Sequence, residues 1–205
     1  MDEIRRQEME PNLRGEVKLK VCLIGDGGVG KTSLIRRFVF SEFDERYLYT
    51  LGTNVSKKEV TLVWKGQEVK ATLMVWDIMG QKSLKHLFTE SYFKDADGGI
   101  AVCDCTRTDT FDDLTEWIEN MFSGSGEVPI TILANKIDLR DQTRIEERAL
   151  ARFAAAYDAP YLFTSAKTGE NVERAFAKTA ELIAGRAASL DPKRDTEADD
   201  SAATA

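Results

Sequence analysis

The segment Val17-Lys18-Leu19-Lys20-Val21-Cys22-Leu23-Ile24-Gly25-Asp26-Gly27-Gly28-Val29-Gly30-Lys31-Thr32-Ser33-Leu34-Ile35-Arg36-Arg37-Phe38-Val39 reads as a strand, a glycine loop and a helix end to end. The first eight residues are an apolar run of strand length, and the apolar residues after Thr32 recur at helical spacing. Between them lies the spacing G-x-x-x-x-G-K-T. Glycines there let the backbone curl round a phosphate chain and aim several N–H groups inward. With the positive end of the helix that opens near Lys31, those amides make an anion site. Lys31 can place its ammonium on terminal phosphates, and the Thr32 hydroxyl can ligate Mg2+. A glycine-rich turn with a solvated lysine is the plainer alternative, and the flanking strand and helix weigh against it.

Downstream, Ser41 to Asn54 is polar and without period, and reads as a long loop. Glu59 to Trp64 and Val69 to Trp76 are β-rich runs joined by Lys65-Gly66-Gln67-Glu68, an antiparallel hairpin. Asp77 to Asp97 reads as a second loop running into an irregular helix. Gly99 to Cys103 is a buried-type strand, and Leu114, Trp117, Ile118 and Met121 form a helix stripe after a capping-type Asp109. Ser123 to Gly126 reads as a loop, Ile130 to Ala134 as a strand, and Thr143 to Glu146 as a capping box opening a helix through Tyr157. Tyr161 to Thr164 is the last strand, and Val172, Ala175, Phe176, Thr179, Leu182 and Ile183 stripe the closing helix. Strands alternating with helices imply an α/β fold: a mostly parallel sheet covered on both faces, with one antiparallel edge strand. In such sheets ligands bind at the carboxyl ends of the strands.

Asn135-Lys136-Ile137-Asp138 follows a strand at that same rim. A carboxylate at Asp138 can accept hydrogen bonds from the ring N–H and exocyclic amine of guanine. Adenine would leave the acid desolvated and unpaired, a mismatch of several kcal/mol and on the order of 10⁴-fold in preference. Asn135 can bridge base and phosphate loop, and the Lys136 stem can cover the ring. Ser165-Ala166-Lys167, again after a strand, would offer the Ala166 amide to the guanine oxygen. Taken alone, Asn-Lys-x-Asp is also a common turn composition.

With these motifs in order, the chain resembles the Ras superfamily of small GTPases, in its Rab-like branch, across roughly residues 17 to 186. The matching residues are Gly25 to Thr32, Phe43, Thr50-Leu51-Gly52, Trp76-Asp77 with Gly80-Gln81, Asn135 to Asp138, and Thr164 to Lys167. The resemblance implies a small G domain of the phosphate-loop class, with a six-stranded sheet, over 17–187; the polar, aperiodic composition of 1–16 reads as a flexible arm, and the acids, small residues and Pro192 of 188–205 as a disordered acidic tail. It implies GTP and GDP as substrate and product, with Mg2+ held by Thr32, Thr50 and, through water, Asp77. Gly27, Gly28, Val29, Gly30, Lys31, Thr32 and Ser33 would line the phosphates, and Phe43 would stack across the base beside Asn135, Lys136, Asp138, Ser165, Ala166 and Lys167. Thr50 would sense the γ-phosphate as switch one. The Gly80 amide would touch that phosphate, and Gln81 would orient the attacking water as switch two. Lys31, Thr50, Gly80 and Gln81 are thus the expected catalytic set. Gly27 matches a position that the family keeps free of a side chain.

Such chemistry needs positioning and charge neutralisation more than covalent help. Nothing in the sequence supplies an obvious internal arginine finger, so an activating protein is an expected partner, with an exchange factor and effectors at the switch loops. Two features depart from the family. Ile78-Met79 and Lys82 stand where the family usually writes Thr-Ala and Glu: Met79 either alters hydrolysis, leaving a guanine-nucleotide-binding module, or swings outward and is tolerated. No cysteine follows Cys105, and Asp2 excludes amino-terminal myristoylation, so no direct lipid anchor is expected and membrane attachment would go through partners. The acidic tail and Thr-Leu-Gly make the Ran branch the second choice.

Composition agrees with a soluble, single-domain protein of 205 residues, 42% of them hydrophobic. Residues 1–16 hold five acids and three bases, and 189–205 five acids and two bases, so −5 of the net −7 lies at the two ends. The near-neutral middle carries no broad basic surface for nucleic acid. Cys22, Cys103 and Cys105 lie in apolar segments and read as reduced core thiols of a cytoplasmic protein. The start lacks a signal peptide's apolar core, and no stretch is long enough to span a bilayer. His86 reads as a lone surface histidine, Trp64, Trp76 and Trp117 as packing, and 138–148 as a solvated loop and helix face.

Overall fold

A computed structural model describes residues 16–44, 50, 52–64, 66–81 and 92–189. The expected arm up to residue 15, most of the acidic tail, Leu51, Lys65, Lys82, His86 and the side chain of Trp64 lie outside the described residues. Strand β1 (Glu16–Ile24) leads through the glycine loop into α1 (Lys31–Phe40). Strands β2 (Thr53–Trp64) and β3 (Gln67–Ile78) form the hairpin, and β4 (Gly98–Asp104) is followed by α2 (Thr108–Asp112) and α3 (Leu114–Ser125). Then come β5 (Ile130–Asn135), a 3₁₀ segment (Ile137–Gln142), α4 (Glu147–Ala155), β6 (Tyr161–Thr164) and α5 (Val172–Ser189).

The six strands form one sheet in the order β2-β3-β1-β4-β5-β6. β2 runs antiparallel to β3, and every other pairing is parallel. Period-two alternation splits β1 between two cores. Leu19, Val21 and Leu23 pack with Leu34 and Phe38 of α1 and Phe176 and Ile183 of α5. Cys22 and Ile24 pack on the other face with Trp117 and Ile118 of α3 and Leu150 of α4. Both faces are therefore covered, which is why β4 and β5 are buried along their whole lengths. The thiols of Cys22, Cys103 and Cys105 are buried, and burial pushes that of Cys22 up to about 12.

Several boundaries differ from the sequence expectation. Thr53 and Asn54, expected in a loop, are paired with Ile78 and Asp77, which the sequence placed at the start of the next loop. The ladder of a long hairpin overrides the local polarity of these residues. Ser123 to Ser125 are helical: Ser125 Oγ donates back to the Met121 carbonyl at 2.9 Å, and the helix ends at Gly126 with φ 73°. Asp109 does not cap; it lies inside the first turn of α2 and pairs with Arg107 at 2.9 Å. The capping box does not form either. The Thr143 hydroxyl sits 3.7 Å from Cys105 Sγ, the Arg144 amide donates to the Cys105 carbonyl, and α4 opens only at Glu147. Its predecessor is the 3₁₀ turn, where the sequence suggested only a solvated loop. Helix α5 runs to Ser189, two residues into the expected tail.

Candidate functional site

The carboxyl ends of β1, β3, β4, β5 and β6 open on one rim, and the sequence-expected residues gather there. At its centre, Asn135, the last residue of β5, is buried. Its Nδ2 donates to the Val29 carbonyl of the phosphate loop at 2.9 Å, and its Oδ1 accepts from Thr164 Oγ1 and the Ala166 amide, both at 3.2 Å. One side chain thus joins the phosphate loop to the Thr164–Lys167 loop, although these are far apart in sequence. Gly30 makes this approach possible, because a Cβ there would lie 2.4 Å from Asn135 Nδ2. The Ala166 amide, expected to face guanine, donates here to Asn135. The Asp138 carboxylate accepts from Ser165 Oγ at 2.6 Å, which in turn accepts from the Thr168 amide at 3.1 Å. Those bonds orient Asp138 from behind.

Lys136 takes a left-handed backbone (φ 73°), and its Nζ pairs with Asp104 Oδ2 at 2.6 Å. Asp104 is 1% exposed, and its other oxygen accepts from the Thr106 amide and hydroxyl at 3.0 and 2.7 Å. A buried carboxylate so satisfied fixes the lysine stem. Phe43 is half-buried against the α1–α5 core.

At the phosphate end, Lys31 is buried and donates to the Gly25 and Asp26 carbonyls at 2.6 and 2.8 Å. Burial pushes its ammonium down to about 8, against the pull of Asp77 and Asp26. Gly80, just past the end of β3, sits on it: a Cβ at Gly80 would fall 2.5 Å from Lys31 Nζ. Asp26 is buried, and its Oδ1 accepts from the Trp117 indole at 2.8 Å. Trp117 therefore packs as expected and also holds the phosphate loop. Gly27 is exposed and Gly28 has φ 78°. Ser33 and Gln81 are half-buried and Lys167 is exposed. Met79 lines a cleft with Gly52, Thr53, Ile78 and Tyr92. Arg107 brings Nη1 to 3.4 Å from the Gly27 carbonyl while Nη2 stays on Asp109.

Three oxygens converge beside Lys31. Thr32 Oγ1 donates to Asp77 Oδ2 at 2.5 Å and lies 2.9 Å from Thr50 Oγ1. Asp77 is buried, its Oδ1 has no hydrogen-bond partner among the described residues, and burial raises its carboxyl above the usual range despite Thr32 and Lys31. Two hydroxyls and one carboxylate are a hard oxygen set of the kind that Mg2+ takes together with phosphate oxygens and water. The orphaned Asp77 oxygen fits a metal-bound water, so the residues fit the ion. Among the described residues no cluster of three His, Cys, Asp or Glu side chains could hold a metal by itself.

Sequence reasoning did not single out Asp104, the Asp26–Trp117 bond or Arg37. The partners that tie them across the rim, Lys136 for Asp104, Asp26 for Trp117 and the Ala166 and Lys167 carbonyls for Arg37, are too far along the chain for any local pattern to reveal them.

A six-stranded mixed sheet with a phosphate loop at its carboxyl rim defines a phosphate-loop α/β protein. Residues 20–185 match the Ras family. The proteins described as Ras-related protein Rab-27B from Bos taurus and Homo sapiens are each 33% identical to this chain over 176 residues, covering 82% of it and 80% of their own length. The protein of the same description from Rattus norvegicus is 32% identical over the same span. The chain belongs to the Ras family and is a Rab-like small GTPase in sequence and fold. No helix among the described residues is long and apolar enough to cross a membrane.

Proposed function

We propose that this chain is a Mg2+-dependent GTPase that works as a nucleotide switch, with a G domain expected over 17–187 and reaching from Glu16 to Ser189, between an amino-terminal arm and an acidic tail. The observation that carries the reading is Asn135, whose side chain gathers the phosphate loop and the Ala166 loop into one rim. Guanine would lie between Phe43 and the Lys136 stem, read by Asp138 and by the Ala166 amide, whose N–H would turn from Asn135 Oδ1 to the base. Amides of Gly27 to Ser33 would cradle the phosphates, with Lys31 turning from the loop carbonyls to the terminal oxygens. Bound Mg2+ would neutralise charge that develops between the β- and γ-phosphates. Thr32, Thr50 and Asp77 would hold the ion. The Gly80 amide would meet the γ-phosphate, and Gln81 would orient the attacking water. The segments before β2 (41–52) and after β3 (79–93) would order round GTP and relax after hydrolysis, offering two surfaces to effectors, an exchange factor and an activating protein. The protein would be cytoplasmic, reaching membranes through partners.

The flexible Met79 thioether can turn away from the γ-phosphate side, which favours retained hydrolysis over a pure binding module. Turnover without a partner is expected at roughly 10⁻⁴ to 10⁻³ per second, the Ras scale. Arg107 is held by Asp109 on a loop carbonyl and is not counted as a finger. Single-turnover hydrolysis of preloaded GTP tests the reading, with Gln81→Leu expected to slow phosphate release at least tenfold while GTP stays bound. γ-Phosphate retained for many hours by the unaltered chain would reject the enzyme, and an unchanged rate in Gln81→Leu would reject the assigned water-orienting group.

A further inference from the structure

Arg37, on α1, sends its guanidinium across to the far loops of the rim. Nε donates to the Ala166 carbonyl at 2.8 Å, Nη2 to the Lys167 carbonyl at 2.5 Å and Nη1 to the Ser41 carbonyl at 3.2 Å. Its central carbon lies 6.0 Å from the centroid of the Phe43 ring. Three of the rim's parts meet on this one side chain: the helix whose N-terminus closes the phosphate loop, the loop that carries the Ala166 amide, and the start of the first switch segment with its base-stacking phenylalanine. The opposite side of the Ala166 peptide region is held by Asn135. Residues 165–167 are thus clamped between an amide side chain in front and a guanidinium behind.

We propose that Arg37 is a positioning residue for the guanine base, fixing the distance between the base loop and the phosphate loop and setting how long a nucleotide stays bound. The proposal rests on the reading that Ala166, Asp138 and Phe43 grip guanine. A planar fork of donors can serve three carbonyls at once, whereas a lysine ammonium is a point donor that cannot span Ala166, Lys167 and Ser41 together. Without the fork, the Ala166 loop and Phe43 lose their common anchor, and the base end opens first. The phosphate end keeps Lys31, Thr32 and Asp77, none of which touches Arg37. Release should therefore accelerate while the hydrolysis step is spared.

The test is to load the full chain with a fluorescent GDP and measure its release in Mg2+, beside single-turnover hydrolysis of GTP, for the unaltered chain, Arg37→Ala and Arg37→Lys. Release is expected to rise roughly tenfold or more in Arg37→Ala. Arg37→Lys, which keeps the stem and the charge, should recover less than half of that on a logarithmic scale, and hydrolysis of bound GTP should stay within about twofold in both. Should Arg37→Ala fail to fold, Arg37→Lys alone decides, with release expected to rise about fivefold. Release within about twofold of the unaltered chain, or full recovery by lysine, overturns the proposal. So does an equal loss of hydrolysis, which would make Arg37 a general prop of the fold. An unaltered chain that binds no GDP overturns the proposed function, and this inference falls with it; a chain that binds GDP with unchanged release in Arg37→Ala overturns the inference alone.

Discussion

On the proposed function, Asp138 would carry the base selectivity that separates this site from an adenylate site, and its geometry makes a sharp forecast. Ser165 Oγ holds Oδ1 at 2.6 Å, so the carboxylate is turned before a ligand arrives. In Asp138→Asn one acceptor becomes an N–H donor facing the guanine amine, and the charge that strengthened both bonds is lost. Two bonds to a charged acceptor at about 1.5–3 kcal/mol each put the loss of GDP affinity at roughly 10²- to 10⁴-fold. Xanthine carries a carbonyl where guanine has the amine, so xanthosine diphosphate should bind the variant better than GDP. Competition against a fluorescent nucleotide reads the order, and a variant that still prefers GDP would show that another group selects the base. Residues of this kind were legible because a short motif fixes them: Lys31, Thr32, Asn135 and Asp138 need only their immediate neighbours to be recognised. Arg37 and Trp117 were not, because the groups that give them meaning lie 129 and 91 residues away. A lone arginine on a helix and a tryptophan in an apolar stripe read locally as surface charge and packing, and only the closed sheet brings their partners within reach.

At the scale of elements, α1 and α5 are joined face to face beneath the sheet by one aromatic stack. The rings of Phe38 and Phe176 lie 3.9 Å apart between centroids and 3° from parallel, both buried. Lys58 of β2 stands 4.0 Å over Phe38 and pairs with Glu173 of α5 at 2.6 Å. Truncating Phe176→Ala removes a ring that nothing can refill without shifting α1, so a cost of about 3–5 kcal/mol is expected. Urea unfolding reads it as a lower midpoint at unchanged slope. A loss under about 1 kcal/mol would mean that the helices close over the cavity. Removing the exposed Glu173 instead should cost far less, because a pair with a carboxylate that is 68% exposed is screened by water. These elements were read correctly in kind because Leu34 and Phe38, or Phe176, Thr179 and Ile183, repeat at helical spacing. Their ends were harder. Asn54 and Asp77 carry loop-forming side chains yet sit in a β2–β3 ladder of twelve residue pairs, from Thr53–Ile78 to Trp64–Gln67. The Thr143–Glu146 box looked like a helix start, but its threonine turns to Cys105 across the fold. Local chemistry proposes such boundaries, and pairing with a distant strand or loop decides them.

For the molecule as a whole, the rim joins charges that the fold buries at a cost. Lys31 is held down to about 8 by burial, and Asp77 is raised for the same reason. Both shifts disfavour the charged forms, so the protein alone bears an electrostatic strain at the place where phosphate and metal would relieve it. Four of the groups that would share that ligand hang from different strand ends: the phosphate loop from β1, Gly80 from β3, Asn135 from β5 and Ser165 from β6. A ligand seated there would bind the native chain and not the unfolded one, and would tie four of the six strands together. Stability should accordingly follow ligand concentration, by about 4 kcal/mol at a thousandfold excess over the dissociation constant. For a domain of this size that is a rise in Tm of roughly 8–16 °C. Thermal scans should show the rise with GDP and Mg2+, most of it lost on adding a chelator, and no comparable rise with ADP and Mg2+. Chelation would act because, on the proposed function, Thr32, Thr50 and Asp77 contribute only one formal charge between them and would depend on the phosphates to complete the ion's shell. If GDP and ADP raise the midpoint equally, the rim recognises phosphate without reading the base. If neither raises it, the loops that Asn135 gathers are a structural knot and not a binding site.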